Sequence, residues 1–247
     1  MTLPDKMGPA NMVALIPARA GSRRIPHKNR RLLAGQPLIA YTLAAARQSQ
    51  VFSEVWISTD DDEIVRWAVA QHVSVKRRAI ETTDEAPDIL WVREFFQDHP
   101  RTVPAFAILR PTAPFRTYAT IRRAYDQFMR SEVHSLRAVE PATQHPGKMW
   151  WLENGCLVPV LSSLRPDRTP WHSSPTQTLP KVYRQNASLE MAWTYVVTSF
   201  GTISGTKIAP FFTEGLEGYD LNDESDWTEA ERLIDAGLVA LPTLAAV

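Results

Sequence analysis

At 247 residues the chain is long enough for one large α/β domain around a single core, with room for a small subdomain. Lys plus Arg and Asp plus Glu both total 27, so the formal net charge is zero, and the basic excess that recruits nucleic acid or an anionic membrane surface is absent. One cysteine, Cys156, excludes an intrachain disulfide and a cysteine-based zinc site. The six histidines show no His-x-x-x-His pairing. Residues 1–11 hold no apolar core segment of a secretory signal, and no run reaches the length of a bilayer span. A cytoplasmic protein is the expectation.

In chain order, Met12 to Ile16 is an apolar run that reads as a buried strand, and Pro37 to Ala46 has the apolar density of a helix opening with proline. Val55 to Ser58 is strand-like, and Asp61 to Gln71 has helical periodicity with acidic residues at its N-terminus. Val73 to Val75 predicts a short strand, Asp88 to Asp98 a helix, Ala105 to Leu109 an apolar strand, and Tyr118 to Arg130 a helix. Repeated β-loop-α units of this size imply a parallel sheet with helices on both faces, where ligands collect beyond the carboxyl ends of strands. The second half is less regular. Lys148 to Leu161 reads as a hairpin turning at Asn154-Gly155, Leu164 to Pro180 as an extended excursion, and Glu224 to Ala236 as a last helix.

The most informative segment is the loop after the first strand, Arg19-Ala20-Gly21-Ser22-Arg23-Arg24-Ile25-Pro26-His27-Lys28-Asn29. Gly21 lets the backbone come close to a ligand, neighbouring N–H groups can point inward, and Arg19, Arg23, Arg24 and Lys28 offset anionic charge, which suits a polyphosphate. A solvated basic loop is the competing reading. No second glycine precedes Lys28, so a P-loop is not supported, and neither is Gly-x-Gly-x-x-Gly.

Four collinear segments resemble the CMP-sialic acid synthetases (acylneuraminate cytidylyltransferases) and, more loosely, the CMP-Kdo synthetases. Ile16 to Asn29 is similar to Ile-Pro-Ala-Arg-x-Gly-Ser-Lys-x-Ile-Pro-x-Lys-Asn, and Leu109 to Arg116 to Leu-Gln-Pro-Thr-Ser-Pro-Leu-Arg. Tyr183 to Ala187 resembles Tyr-x-x-Asn-Gly, and Asp220 to Trp227 resembles Asp-Ile-Asp-x-x-x-Asp-Trp. The resemblance implies a three-layer α/β/α Rossmann-like nucleotidyltransferase fold with a mostly parallel sheet. It implies one cytidylyltransferase domain over 1–247, with a protruding dimerisation and sugar-site excursion at about 141–182. The implied reaction is Mg2+-dependent: the anomeric hydroxyl of a 2-keto sugar acid attacks the α-phosphate of CTP and pyrophosphate leaves. Homodimers are expected, with neither nucleic acid nor membrane as a partner.

By the same resemblance Arg19, Lys28 and Asp220 are the catalytic candidates. Arg19, Ala20, Gly21, Ser22, Arg23, Lys28, Asn29, Arg77, Arg110, Pro111 and Thr112 form the nucleotide set, with Asp84 following Arg77. Lys148, Tyr183 and Asn186 form the sugar set, with Asn186 contacting the sugar or fixing its loop. Asp220 and Asn222 are the metal ligands, Asp220 otherwise serving as a helix cap that Asp223 fills equally well. Arg24 is expected to face solvent, and Arg116 to cap a helix, pair with a carboxylate or touch ligand.

The chain departs from the pattern where Arg110 replaces glutamine, Ala113 serine, Asn222 aspartate and Ala187 glycine. Pro175 and Thr176 stand where many members carry arginines for the sugar carboxylate. Arg165, Arg168 or Arg184 would replace that anchor, or the sugar differs from ordinary sialic acid. These departures also motivate a second expectation, a nucleotide-binding protein without catalysis.

Overall fold

The computed structural model describes residues 12–79, 86–99, 103–161 and 169–244. The elements run β1 (Met12–Pro17), β2 (Leu32–Leu33), β3 (Gln36–Pro37), α1 (Leu38–Ser49), β4 (Glu54–Thr59), α2 (Asp62–Ala70), β5 (Ser74–Arg77), α3 (Asp88–Asp98), β6 (Ala105–Ile108) and α4 (Tyr118–Arg130). There follow β7 (Ser135–Pro141), β8 (Trp150–Glu153), β9 (Cys156–Pro159), β10 (Tyr183–Trp193), α5 (Tyr195–Phe200), β11 (Ile208–Phe212) and α6 (Glu224–Asp235). Contacts group the chain into two compact units, Met1–Ala138 with Asn186–Val247, and Val139–Gln185.

The main sheet has the strand order β11-β7-β10-β6-β1-β4-β5. β1 pairs in parallel with β4 and β6, and β4 with β5, whereas β10 lies antiparallel to β6. Alternation along β1 sorts the core of the first unit into two layers. Met12, Ala14 and Ile16 pack with Ile39 and Leu43 of α1, Ile64 of α2 and Ile121 and Phe128 of α4. Val13 and Leu15 pack with Trp91, Val92 and Phe95 of α3 and Val197 of α5. A period-2 strand therefore feeds two helical layers, the α/β/α arrangement expected from the repeated units.

The sequence pattern missed β7, β10, β11 and α5. Arg137 and Glu140 interrupt the apolar pattern of β7, and Pro210 sits inside β11. β11 is the sheet's edge strand, where a residue without an N–H is tolerated. A third apolar cluster joins α6, through Trp227, Ala230 and Leu233, to Ile25, Leu38 and Leu221.

In the second unit β8 and β9 pair antiparallel with Glu153 opposite Cys156. Asn154 at φ 50° and Gly155 at φ 79° form the turn, the positive angles that a two-residue hairpin requires at both positions. Trp151, Leu152 and Leu157 on this hairpin are exposed. The expected excursion contains short 3₁₀ turns at Trp171–Ser173 and Thr176–Thr178. Among the described residues no helix is long and apolar enough to cross a membrane.

Candidate active site

The carboxyl ends of β1, β5 and β6 open into a cleft of about 380 Å³ in the first unit. Arg19, Ser22, Lys28 and Asn29 line one end, Arg78, Asp88 and Trp91 the other, and Arg110, Pro111 and Thr112 the β6 side. A second cleft of about 330 Å³ shares Arg19, Ser22 and Lys28 and adds Arg23, Arg24 and Asn222. One cationic ridge thus serves two adjoining hollows, a shape suited to an extended polyanion. Arg24 is exposed yet lines the second hollow.

The loop is pinned from below. The Ala18 N–H donates to the Ser58 carbonyl at 2.8 Å, and the Thr59 hydroxyl donates to the Ala18 carbonyl. Asn29, buried, donates through Nδ2 to the Arg19 carbonyl at 3.2 Å, so it fixes the loop on which Arg19 stands. The Ala20 N–H donates to Asp60 Oδ1 at 2.7 Å and the Ser22 N–H to the Ala20 carbonyl at 3.0 Å. Those two amides are therefore engaged by the protein, and the ligand-facing chemistry shifts to side chains. Asp60 is absent from the site residues that the sequence suggests, and its position at the end of a strand-like run is the one signal for it.

Lys28 Nζ donates to the Leu221 carbonyl at 2.8 Å. Burial lowers its pKa, against the opposing pull of Asp220. The Leu221 N–H in turn donates to the Thr112 carbonyl at 2.8 Å. This chain of contacts draws the basic loop, the Pro111-Thr112 segment and the Asp220 segment to one place.

Asp220 is not the cap of α6. Asp223 caps it, accepting from the Ser225 and Asp226 amides, and Asp226 answers through Oδ2 to the Asp223 N–H. Asp220 Oδ2 accepts from Asn222 Nδ2 at 2.9 Å, while Oδ1 is buried with no hydrogen-bond partner. A buried, unsatisfied carboxylate oxygen beside a cationic cleft fits a divalent cation that also meets phosphate oxygens. Asn222, expected as a second ligand, acts here as a hydrogen-bond donor to Asp220.

Arg77 does not line either cleft. It pairs with Asp62 at the surface. Strand alternation turns its neighbour Arg78 inward instead, where Nε donates to Ser58 Oγ at 2.9 Å and the guanidinium lies 4.7 Å from the Trp91 ring centroid. Burial pushes Arg78 down to about 10, and its Nη2 is buried without a partner.

Arg110 lies in the cleft wall but is held by two carboxylates, Asp88 and Glu190, and Glu190 also binds Arg137 at 2.6 Å. Arg116 is buried and neither caps α4 nor meets a carboxylate. Thr117 caps the helix. The Arg116 guanidinium donates to the carbonyls of Ser188 and Arg110 and, at 2.8 Å, to Thr42 Oγ1. Burial pushes it down to about 9.

Of the sugar set, Asn186 lies in the first unit, donating to Thr213 Oγ1 at 2.9 Å and accepting from the Ser188 N–H at 3.2 Å. Those bonds tie β10 to the segment after β11. Lys148 and Tyr183 belong to the second unit. Lys148 Nζ donates to the carbonyls of His172 and Ser174, and Tyr183 is exposed. Arg184 pairs with Glu140. Asp84, Arg165 and Arg168 lie outside the described residues.

The fold and cleft define an α/β protein that presents a basic loop at the carboxyl edge of its sheet, the place where open sheets of this kind bind nucleotides. Residues 13–146 match the family described as Cytidylyltransferase, and the chain belongs to that family. It is 31% identical over 241 residues to the CMP-N,N'-diacetyllegionaminic acid synthase of Legionella pneumophila, covering 93% of this chain and 99% of that protein. It is 28% identical over 239 residues to N-acylneuraminate cytidylyltransferase A of Danio rerio, covering 94% of this chain and 53% of that longer protein. Among solved structures, a CMP:2-keto-3-deoxy-manno-octonic acid synthetase complexed with CTP superposes with a TM-score of 0.69 at 13% identity, covering 92% of this chain and 100% of that one. At that identity the superposition speaks for the fold, and it agrees with the Rossmann-like expectation.

Proposed function

We propose that this cytidylyltransferase joins CMP from CTP to the anomeric hydroxyl of a sialic-acid-like 2-keto sugar acid and releases pyrophosphate. The observation that carries the reading is the ridge of Arg19, Ser22 and Lys28 shared by two hollows beside the unsatisfied carboxylate oxygen of Asp220. The names of the relatives support the substrate class.

Displacement at an α-phosphate needs in-line positioning and charge neutralisation more than covalent chemistry. Arg19 and Lys28 neutralise the triphosphate, Ser22 donates to it, and Asn29 and Asp60 keep the loop in place. Asp220 holds Mg2+, which when bound supplies positive charge to the phosphate oxygens. Lys28, joined to the Leu221 carbonyl, keeps that carboxylate at a fixed distance from the loop. A homodimer formed through the apolar β8–β9 hairpin, and a cytoplasmic location, belong to the same reading. Sedimentation equilibrium at twice the chain mass supports the dimer, and a monomer removes it.

The test is pyrophosphate release from CTP with Mg2+ and a panel of nonulosonic and Kdo-like acids. Turnover with at least one acid, and none without CTP, is expected. One observation favours a second reading, nucleotide binding without turnover: Asn222 offers Asp220 an amide nitrogen, not an oxygen. Thermal stabilisation by CTP with no pyrophosphate from any acid selects it.

A further inference from the structure

The cleft occupies the carboxyl ends of the strands, and the opposite edge of the same sheet carries a separate hollow of about 340 Å³. Val13 near the start of β1, Glu54 and Trp56 in the first turn of pleat of β4, and Phe95, Asp98 and His99 at the end of α3 line it. Three rings stand in mutual contact there. The Trp56 centroid lies 5.5 Å from Phe95 and 4.5 Å from His99, both edge-on, and the Phe95 and His99 rings stack at 4.5 Å. Phe95 and Val13 are buried, Trp56 and His99 are half-buried, and Glu54 is exposed.

The surroundings of these rings favour a cation. The lining holds two carboxylates and, among the described residues, neither lysine nor arginine. It lies at the last turn of α3, where a helix presents its negative end. Aromatic rings attract cations through their faces, tryptophan most strongly. The His99 Nδ1 donates to the Phe95 carbonyl at 2.9 Å, which fixes the ring. Both carboxylates are already bonded: Glu54 accepts from Trp56 Nε1 at 2.6 Å, and Asp98 accepts from Lys76. Lys76 is shared with Glu94 at 3.1 Å, so negative charge remains in excess around the hollow. A cation bearing N–H groups would leave some of them unsatisfied against Val13 and Phe95. A quaternary ammonium has no N–H to satisfy, and its methyl groups suit apolar walls under a negative field.

We propose that this hollow binds a small quaternary ammonium compound, with Trp56 and His99 against its methyl groups and Glu54 and Asp98 supplying the counter-charge. The hollow and the cleft lie at opposite ends of the strands, so the occupant does not compete with the substrates. The site also stands apart from the nucleotide reading.

The test titrates the full chain with choline and with 3,3-dimethylbutan-1-ol, the neutral isostere that carries carbon in place of nitrogen. The Trp56 indole N–H signal is followed by NMR. Trp56→Phe assigns that signal; should this variant not fold, Glu54→Gln assigns it, because Glu54 holds the same N–H. Choline is expected to shift the signal saturably with a Kd of about 1–10 mM, the scale open to so small a ligand. The alcohol should bind at least about fivefold more weakly. Glu54→Gln keeps an acceptor for Trp56 but loses the charge, and should weaken choline about two- to fivefold while leaving the alcohol unchanged. An alcohol that binds as tightly as choline makes the hollow merely apolar and overturns the proposal. A Trp56 signal that stays still up to about 50 mM choline overturns it too. Neither result touches the CTP reading, which pyrophosphate release decides.

Discussion

The two ends of the cleft handle charge in opposite ways. At the loop end four cationic side chains, Arg19, Arg23, Arg24 and Lys28, line the hollows, with Asp220 and Asp226 acting on Lys28. At the far end charges interlock beside Arg78: Arg110 lies between Asp88 and Glu190, and Glu190 also meets Arg137. An excess of cations draws in a polyanion and pays in desolvation. A balanced network holds donors and acceptors in fixed directions and suits a neutral, polar-edged group such as a base.

The strongest way to break this contrast is at the loop end. Lys28→Ala should lower kcat/KM for CTP by about 10²–10³-fold with the fold retained, the scale for removing one charge-stabilising donor. Steady-state pyrophosphate release reads it. A smaller but sharper contrast comes from adjacent arginines. Arg78→Ala should weaken CTP binding roughly tenfold or more, whereas Arg77→Ala, on a surface pair, should stay within about twofold. Equal effects of the two would contradict the inward placement of Arg78.

At the balanced end Arg110→Gln should cost about 2 kcal/mol in denaturant unfolding. The figure sits below the 3–5 kcal/mol of a fully buried broken pair because the Arg110 side chain is 29% exposed. The smallest effect lies outside the cleft. Burial alone would raise the Glu217 pKa, but bonds from Arg123, Thr120 and the Glu214 N–H lower it below its ordinary 4.5. A carboxyl depressed on folding stabilises fully above pH 4.5 and loses that contribution as pH falls through its folded value. Glu217→Gln should therefore flatten the acid limb of stability between neutral pH and about pH 3. An acid limb as steep as the wild type's would place the linkage elsewhere.

The sequence made the loop end legible because its chemistry is local: a glycine and four cations within eleven residues, directly after a strand. The parallel strands β1, β4, β5 and β6 were legible for a similar reason, being short apolar runs between helical periods. The balanced end was not legible. Arg110, Asp88 and Glu190 are 22 and 80 positions apart, and nothing in Arg110 alone tells an anion receptor from a neutralised wall residue. The choice between Arg77 and Arg78 depends on the strand's facing, which one residue of register inverts. β10 and β11 escaped notice because Arg184, Glu190 and Pro210 interrupt their alternation. The second unit yielded its hairpin, since Asn154-Gly155 announces the turn locally. For Asp220 the sequence favoured a metal ligand over a cap or turn residue, a cap that Asp223 fills just as well, and the capping geometry of Asp223 decides against the cap.

The central claim is that the basic loop and Asp220 serve one bound triphosphate. The most direct measurement is CTP affinity as a function of Mg2+ concentration, by calorimetry, in the wild type and in Asp220→Asn. Mg2+ should strengthen CTP binding at least about tenfold in the wild type and leave it nearly unchanged in the variant. The same Mg2+ dependence in both proteins would contradict the account.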